Sequence, residues 1–352
     1  MIDPAFWSGR RVLLTGQTGF KGAWLALWLR RMGADVYGFA LPPDTDPALF
    51  DLARVGADIK GTFGDLRDPA AVRAAVRAAR PQIVLHLAAR ALVRQSIEDP
   101  VDAIGVNVMG TVHLLDALRE ESEASTILVV TSDKVYANDE SGVSFGEQSP
   151  LGGKDPYSAS KAAAELVTRA YRETYFKRAG VHIATARGGN VIGGGDYARD
   201  RIVPDVVRAA AAGRAPILRM PLATRPWQHA LDCLAGYLAF AEALDRGENV
   251  PEALNFGPAP TKPITVGELT SAMLDALGAK TSFVHEPAPG SIEMQTLAVD
   301  ADLARTRLRW RDALPGRAAI EWTAAWYGRV RSGEDPRAVT LAQIDTYMNL
   351  AE

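Results

Sequence analysis

The chain has 352 residues, 47% of them hydrophobic and 23% charged, with a formal net charge of -3. This is the composition of an ordinary globular protein, long enough for one large α/β body and an added lobe. The balance offers no basic excess for nucleic acid or an anionic membrane, no unbroken apolar run is long enough for a membrane span, and the N-terminus carries no signal-peptide stretch. The single cysteine, Cys233, excludes an internal disulfide and fits a reducing cytoplasm.

Arg11-Val12-Leu13-Leu14 reads as a short buried strand. A glycine-rich turn follows, then a helical run over 23–32 that Gly33 ends. Asp35 to Ala40 is a second strand, and a third precedes Gly64. A helix over 72–80 stops at Pro81. Ile83 to Leu87 is a strand, 106–119 a helix, Ile127 to Val130 a strand, 157–178 a long helix, and His182 to Ala186 another strand. Strands alternating with helices give βαβ units, and so a doubly wound parallel sheet with helices on both faces. Beyond about residue 190 the rhythm breaks. Gly193-Gly194-Gly195 and Arg225-Pro226-Trp227 mark a smaller lobe closing over the first body. The expected division is a dinucleotide-binding domain over 1–188 with a returning segment near 230–257. The substrate lobe then comprises 189–229 and 258–352.

Gly16, Gly19 and Gly22 are spaced G-x-x-G-x-x-G between a strand and a helix. Glycine permits the tight turn and a close approach of phosphate. The helix N-terminus adds free N–H groups for a pyrophosphate. Thr18, Phe20 and Lys21 belong to the same loop. The second strand lacks the acid that usually reads a ribose 2′-hydroxyl, since Phe39, Ala40 and Leu41 stand there, and no arginine replaces it for a 2′-phosphate. NAD is weakly specified over NADP, with modest affinity. Asp65, beside Leu66, either meets the adenine edge or caps a helix.

Two further constellations carry chemistry. Tyr157 and Lys161 lie at i and i+4, on one helix face, where an ammonium favours phenolate and a phenolate can take a hydroxyl proton. The apolar run Ile127 to Val130 ends in Thr131-Ser132-Asp133-Lys134, at the carboxyl end of a strand, where ligands of such sheets sit. Arg201, Arg219 and Arg225 are candidates to hold a diphosphate through guanidinium forks. Trp227 lines a pocket or packs. His229 is a candidate ligand contact weighed against a structural histidine, and His86 is read as structural. No metal site is expected.

These residues resemble the extended short-chain dehydrogenase/reductase superfamily, through the glycine loop, Leu87-Ala88-Ala89, Asn107, Thr131-Ser132 and Tyr157/Lys161. Longer stretches, among them "LLTGQTGFKGAWLALWL", "TSDKVYAN", "GGKDPYSASKAAAE" and "RPWQHALD", are similar to the CDP-glucose 4,6-dehydratases. The resemblance implies NAD bound by the glycine loop, Asp65, Leu66, Leu87, Ala88, Ala89, Asn107, Thr131, Tyr157 and Lys161, with CDP-glucose the favoured nucleotide sugar. It implies Tyr157 as base at the C4 hydroxyl, Ser132 on the C4 oxygen, Lys134 as base at C5 and Asp133 as acid at the C6 hydroxyl. Asn190 matches a substrate contact, and helices 106–119 and 157–178 match those that pair across a homodimer. A lysine base must be neutral, so Asp133 should be protonated or share a proton with it. Three other readings stay open: a dehydratase of another nucleotide sugar, a C4 epimerase, and an NAD-binding sensor without turnover.

Overall fold

The computed structural model describes residues 2–259, 263–287 and 296–350. Seven parallel strands form the main sheet: β1 (Arg11–Thr15), β2 (Asp35–Ala40), β3 (Lys60–Phe63), β4 (Ile83–His86), β5 (Thr126–Val130), β6 (His182–Gly188) and β7 (Ala253–Phe256). Their spatial order is β7-β6-β5-β4-β1-β2-β3. The order reverses between β1 and β4, and the crevice above that switch point is where a dinucleotide belongs.

The central strands are apolar on both faces because both are covered. Leu128 and Val130 of β5 face one core with Leu14, Leu85 and Ala184. Ile127 and Val129 face the other, with Leu13 and Val84. Helix α1 (Phe20–Arg31) is buried almost all round. The C-terminal helix Pro336–Leu350 lies over it, with Trp28 and Tyr347 edge to face at 5.4 Å. On the opposite face α2 (Pro69–Ala79) packs against α3 (Pro100–Glu121). Both begin alike, with Asp68 or Asp99 accepting N–H bonds of the first turn and proline at the next position, a start that wastes no donor. Helix α3 therefore starts six residues before the apolar periodicity that marked 106–119. With mean hydropathy 1.3 over its best window, it has the length and composition of a membrane span. Its apolar run is broken by Asn107, His113 and Asp116, and half of that window is buried here.

Helix α4 (156–179) follows, its N-cap Asp155 accepting from Ser158. Two later segments return to the sheet. Helix α5 (Ala230–Asp245) covers β5 and β6 and is buried over all but its last residue. Strand β7 pairs with β6, Ala253 beside Thr185. The remainder forms short parallel pairs, Val191–Ile192 with Gln228–His229 and Ile217–Leu218 with Val284–His285. Gly194 is needed where these meet the body, because a Cβ there would stand 1.9 Å from the Trp326 ring.

Candidate active site

The loop after β1 is shaped by contact. A Cβ on Gly22 would fall 1.9 Å from the Gly16 carbonyl oxygen, and one on Gly16 would fall 2.7 Å from the Ala88 nitrogen. This packs the loop against Leu87-Ala88-Ala89, beyond β4. Gly19, the N-cap of α1, differs: a Cβ there would meet only the Gly16 carbonyl, at 3.5 Å, and no side chain caps the helix. Helix α1 thus presents uncapped N–H groups and an open approach, which fits a pyrophosphate. Thr18 donates to the Leu41 carbonyl at the end of β2. Phe20 packs into the core.

A cavity of about 480 Å³ opens at the carboxyl ends of the strands. Thr131, Ser132, Lys134, Tyr157, Asn190, Arg201, Arg219 and Arg225 line it, all of them marked in the sequence. Lys21 lines it too: its chain runs out of the glycine loop into the cavity, and its amine donates to the Tyr237 hydroxyl at 3.4 Å. Its sequence neighbours assign Lys21 to the loop, and only the folded chain brings it to the cavity. Arg94 and Asp155 were not anticipated and also line the wall. Arg94 pairs with Asp200 at 3.0 Å.

Burial sets the electrostatics. It pushes the Tyr157 phenol up to about 12, against a hydrogen bond with Ser132. The expected depression is therefore reversed in the bare protein, because desolvation of a phenolate outweighs the neighbouring dipoles. Lys161 is buried and donates to the Val130 carbonyl at 3.0 Å. Burial and then the Lys21 amine bring it down to about 7. Lys21 itself is lowered, first by burial.

Several expected contacts have other tasks. Asp133 is fully buried and does not line the cavity. Its Oδ1 accepts from Ser132 Oγ at 3.0 Å and Lys134 Nζ at 3.2 Å. Lys134 also donates to Asn190 at 3.2 Å. His229 does not line the cavity: it is fully buried, caps α5 by accepting from the Leu231 N–H, and lies edge to face with Trp24 and Trp322. Asn107 spends its amide on the Arg90 backbone and Ser160, so it fixes the β4 loop. Asp65 is no helix cap, since Asp68 has that role; it holds Arg67, whose hydrogen bond keeps its carboxyl below the usual range. Leu66 packs in the core. His86 sits between Thr15 and Thr111, pushed down to about 3 by burial. Trp227 mostly packs, its ring N–H on the Ile264 carbonyl.

A profile of the NAD dependent epimerase/dehydratase family matches residues 12–257. The chain belongs to that family. It is 40% identical to a CDP-glucose 4,6-dehydratase of Salmonella typhimurium, over 99% of both chains. It is 30% identical to a dTDP-glucose 4,6-dehydratase of Streptomyces griseus, over 92% of this chain and 96% of that one. Among solved structures, a dTDP-glucose 4,6-dehydratase of Streptomyces venezuelae with NAD bound superposes with a TM-score of 0.77, at 26% identity, over 93% of this chain and 99% of that one. A UDP-glucose 4-epimerase of Thermotoga maritima shares the fold, with a TM-score of 0.79 at 18% identity, over 92% and 99%. Family members thus place epimerase and dehydratase chemistry on one scaffold, and the difference must lie in the site.

Proposed function

We propose that this protein removes water from CDP-glucose, giving CDP-4-keto-6-deoxyglucose, with NAD as cofactor. The observation that carries the reading is the Asp133-Lys134 pair at the end of β5, with the Lys134 amine in the same cavity as Ser132 and Tyr157. A C4 epimerase has no use for a base at C5. The near-complete 40% match to the Salmonella enzyme supports CDP as the nucleotide.

The residues that would hold NAD are Gly16, Thr18, Gly19 and Gly22, with the α1 N-terminus facing the pyrophosphate, and Leu87-Ala88-Ala89, Thr131, Tyr157 and Lys161 deeper in. When bound, NAD would supply a hydride acceptor for C4 and a donor for C6, and its oxidised form would supply a positive charge that favours the tyrosine's phenolate. Tyr157 removes the C4 hydroxyl proton, and Ser132 hydrogen-bonds the C4 oxygen. The C4 carbonyl acidifies the C5 hydrogen, which the neutral Lys134 amine takes. Asn190 holds that amine in place. Arg219 and Arg225 receive the substrate diphosphate. Exposed Val101, Ile104 and Leu166 on α3 and α4 support a homodimer through these helices, and the one buried cysteine is compatible with a cytoplasmic setting.

The test is product analysis in heavy water with NAD, using CDP-glucose, dTDP-glucose, UDP-glucose and GDP-mannose separately. The expected outcome is loss of water with one deuterium at C5, from CDP-glucose. Loss from another sugar nucleotide would overturn the substrate; inversion at C4 without loss of water would overturn the dehydratase.

A further inference from the structure

We infer that Lys21 sets a positive charge against the nicotinamide end of the bound cofactor and biases that cofactor towards its reduced form. This goes beyond the part of the glycine loop in holding phosphate. It rests on NAD as cofactor and on Tyr157 as the base at C4 in the reading above, and it is independent of which nucleotide the sugar carries.

Lys21 is the second residue of α1, directly behind the N-terminus that faces the pyrophosphate. Its side chain leaves the loop and lines the cavity that Ser132 and Tyr157 also line. The amine is held there. It donates to the Tyr237 hydroxyl at 3.4 Å and lies 5.4 Å from the centre of that ring. Tyr237 is fully buried, and its hydroxyl is pinned against the end of β6, since a Cβ on Gly188 would stand 2.1 Å from it. Gly188 lines the cavity as well. A hydride acceptor for C4 must stand beside Tyr157, because the proton and the hydride leave one carbon and its oxygen. A dinucleotide with its pyrophosphate on Gly19 and its nicotinamide beside Tyr157 therefore runs past the Lys21 side chain.

The surrounding charges do not cancel this amine. The groups that face it are Cys233 and Tyr237 of α5, Arg201, Asp133 and Lys161. Asp133 is matched by Lys134 at 3.2 Å, and Arg201 by Asp196 at 3.3 Å. Glu165, one turn beyond Lys161, is matched by Arg187 at 2.7 Å. Lys161 donates to the Val130 carbonyl, and Lys21 to a phenol. Among the described residues neither amine has a carboxylate partner, so two ammonium groups are left over at one end of the cavity. An oxidised nicotinamide ring carries a positive charge and a reduced ring carries none. A cation beside it repels the first and leaves the second unaffected. Two electrons are exchanged, so each tenfold preference for NADH over NAD raises the potential of the bound cofactor by about 30 mV. The hydride and its electron pair leave C4 and return at C6, so the bias favours the first transfer, opposes the second equally, and cancels over the cycle. Its benefit is retention, because the reduced cofactor must stay in place while water is lost between the two transfers.

The experiment titrates cofactor-free protein with NADH, followed by its fluorescence, and then displaces it with NAD. Native protein, Lys21→Met and Lys21→Arg are compared at a pH of about 6, where Lys161, brought down to about 7, is mostly charged in all three. The expected result is that Lys21→Met tightens NAD by roughly tenfold relative to NADH, the scale of one like charge at side-chain distance in an effective dielectric of about 20. Lys21→Arg should keep the native ratio, because its charge is permanent. The ratio of the two affinities does not depend on how much of a variant is folded. A Lys21→Met variant that changes both affinities by the same factor would overturn the inference and leave Lys21 a packing or phosphate-holding residue. A Lys21→Arg ratio equal to that of Lys21→Met would also overturn it, since charge would then not be the cause. Native protein that binds neither form would remove the inference together with the cofactor. Proteins that show the expected ratios while the native one converts no nucleotide sugar would remove the dehydratase reading and support this inference all the same.

Discussion

Glu165 Oε2 accepts the Arg187 guanidinium at 2.7 Å, with both side chains buried, directly behind the end of β5. Glu165 lies on α4 one turn beyond Lys161, and Arg187 lies on β6 just before Gly188. The carboxylate also accepts from Thr131 and Thr185, and the guanidinium donates to Tyr136 and the Glu147 carbonyl. Of these partners, Thr131 lines the cavity. Removing one member strands the other charge in low dielectric, which costs more than the pair contributes. Arg187→Met should therefore lower stability by roughly 3–5 kcal/mol. Pairing it with Glu165→Gln should recover part of the loss, as read in a double-mutant cycle of denaturant unfolding.

Tyr157→Phe should reduce kcat by about 10²–10⁴ while leaving cofactor affinity nearly unchanged, since the ring stays and only the transferable proton goes. Steady-state kinetics and direct titration of NAD separate the two. A matching loss of NAD binding would mean that the hydroxyl serves the cofactor and not the sugar.

The Lys21 amine helps hold Lys161 down at about 7, after burial. Lys21→Met removes that repulsion, so the Lys161 value should rise. The limb of the pH–kcat/KM profile near 7 should then move to more alkaline pH. A profile that stays in place would show that the Lys161 value owes nothing to Lys21.

Glu242 accepts from Trp7 Nε1 and the Asp3 N–H, which ties the N-terminus to α5. Burial raises its carboxyl to about 7 from the ordinary 4.5. A raised folded value contributes stability that is complete below the unfolded value and is lost as pH rises through the folded one. Between about pH 4.5 and 7 the native protein should lose on the order of 2–3 kcal/mol from this group. Glu242→Gln keeps an acceptor and cannot ionise, so its Tm should gain on the native protein as pH is raised from 5 to 8. A constant Tm difference across that range would refute the assignment.

Sequence alone determined the doubly wound sheet, because strand and helix periodicities alternate and central parallel strands are apolar on both faces. It also marked the glycine loop, the Tyr157/Lys161 face and the strand end at Thr131, since these depend on spacing within one element. Pairing between elements is different. Asp133 and Lys134 are equivalent as letters, yet the 3-10 turn after β5 and the chain passing through Gly189 bury one and leave the other lining the cavity. His229 looks free in the sequence and is a buried cap. Lys21 belongs to the glycine loop by its neighbours and reaches the cavity by its length. Local periodicity is set by each residue's own backbone, whereas exposure and charge environment are set by whichever distant segment packs over it, and that is decided only when the chain closes.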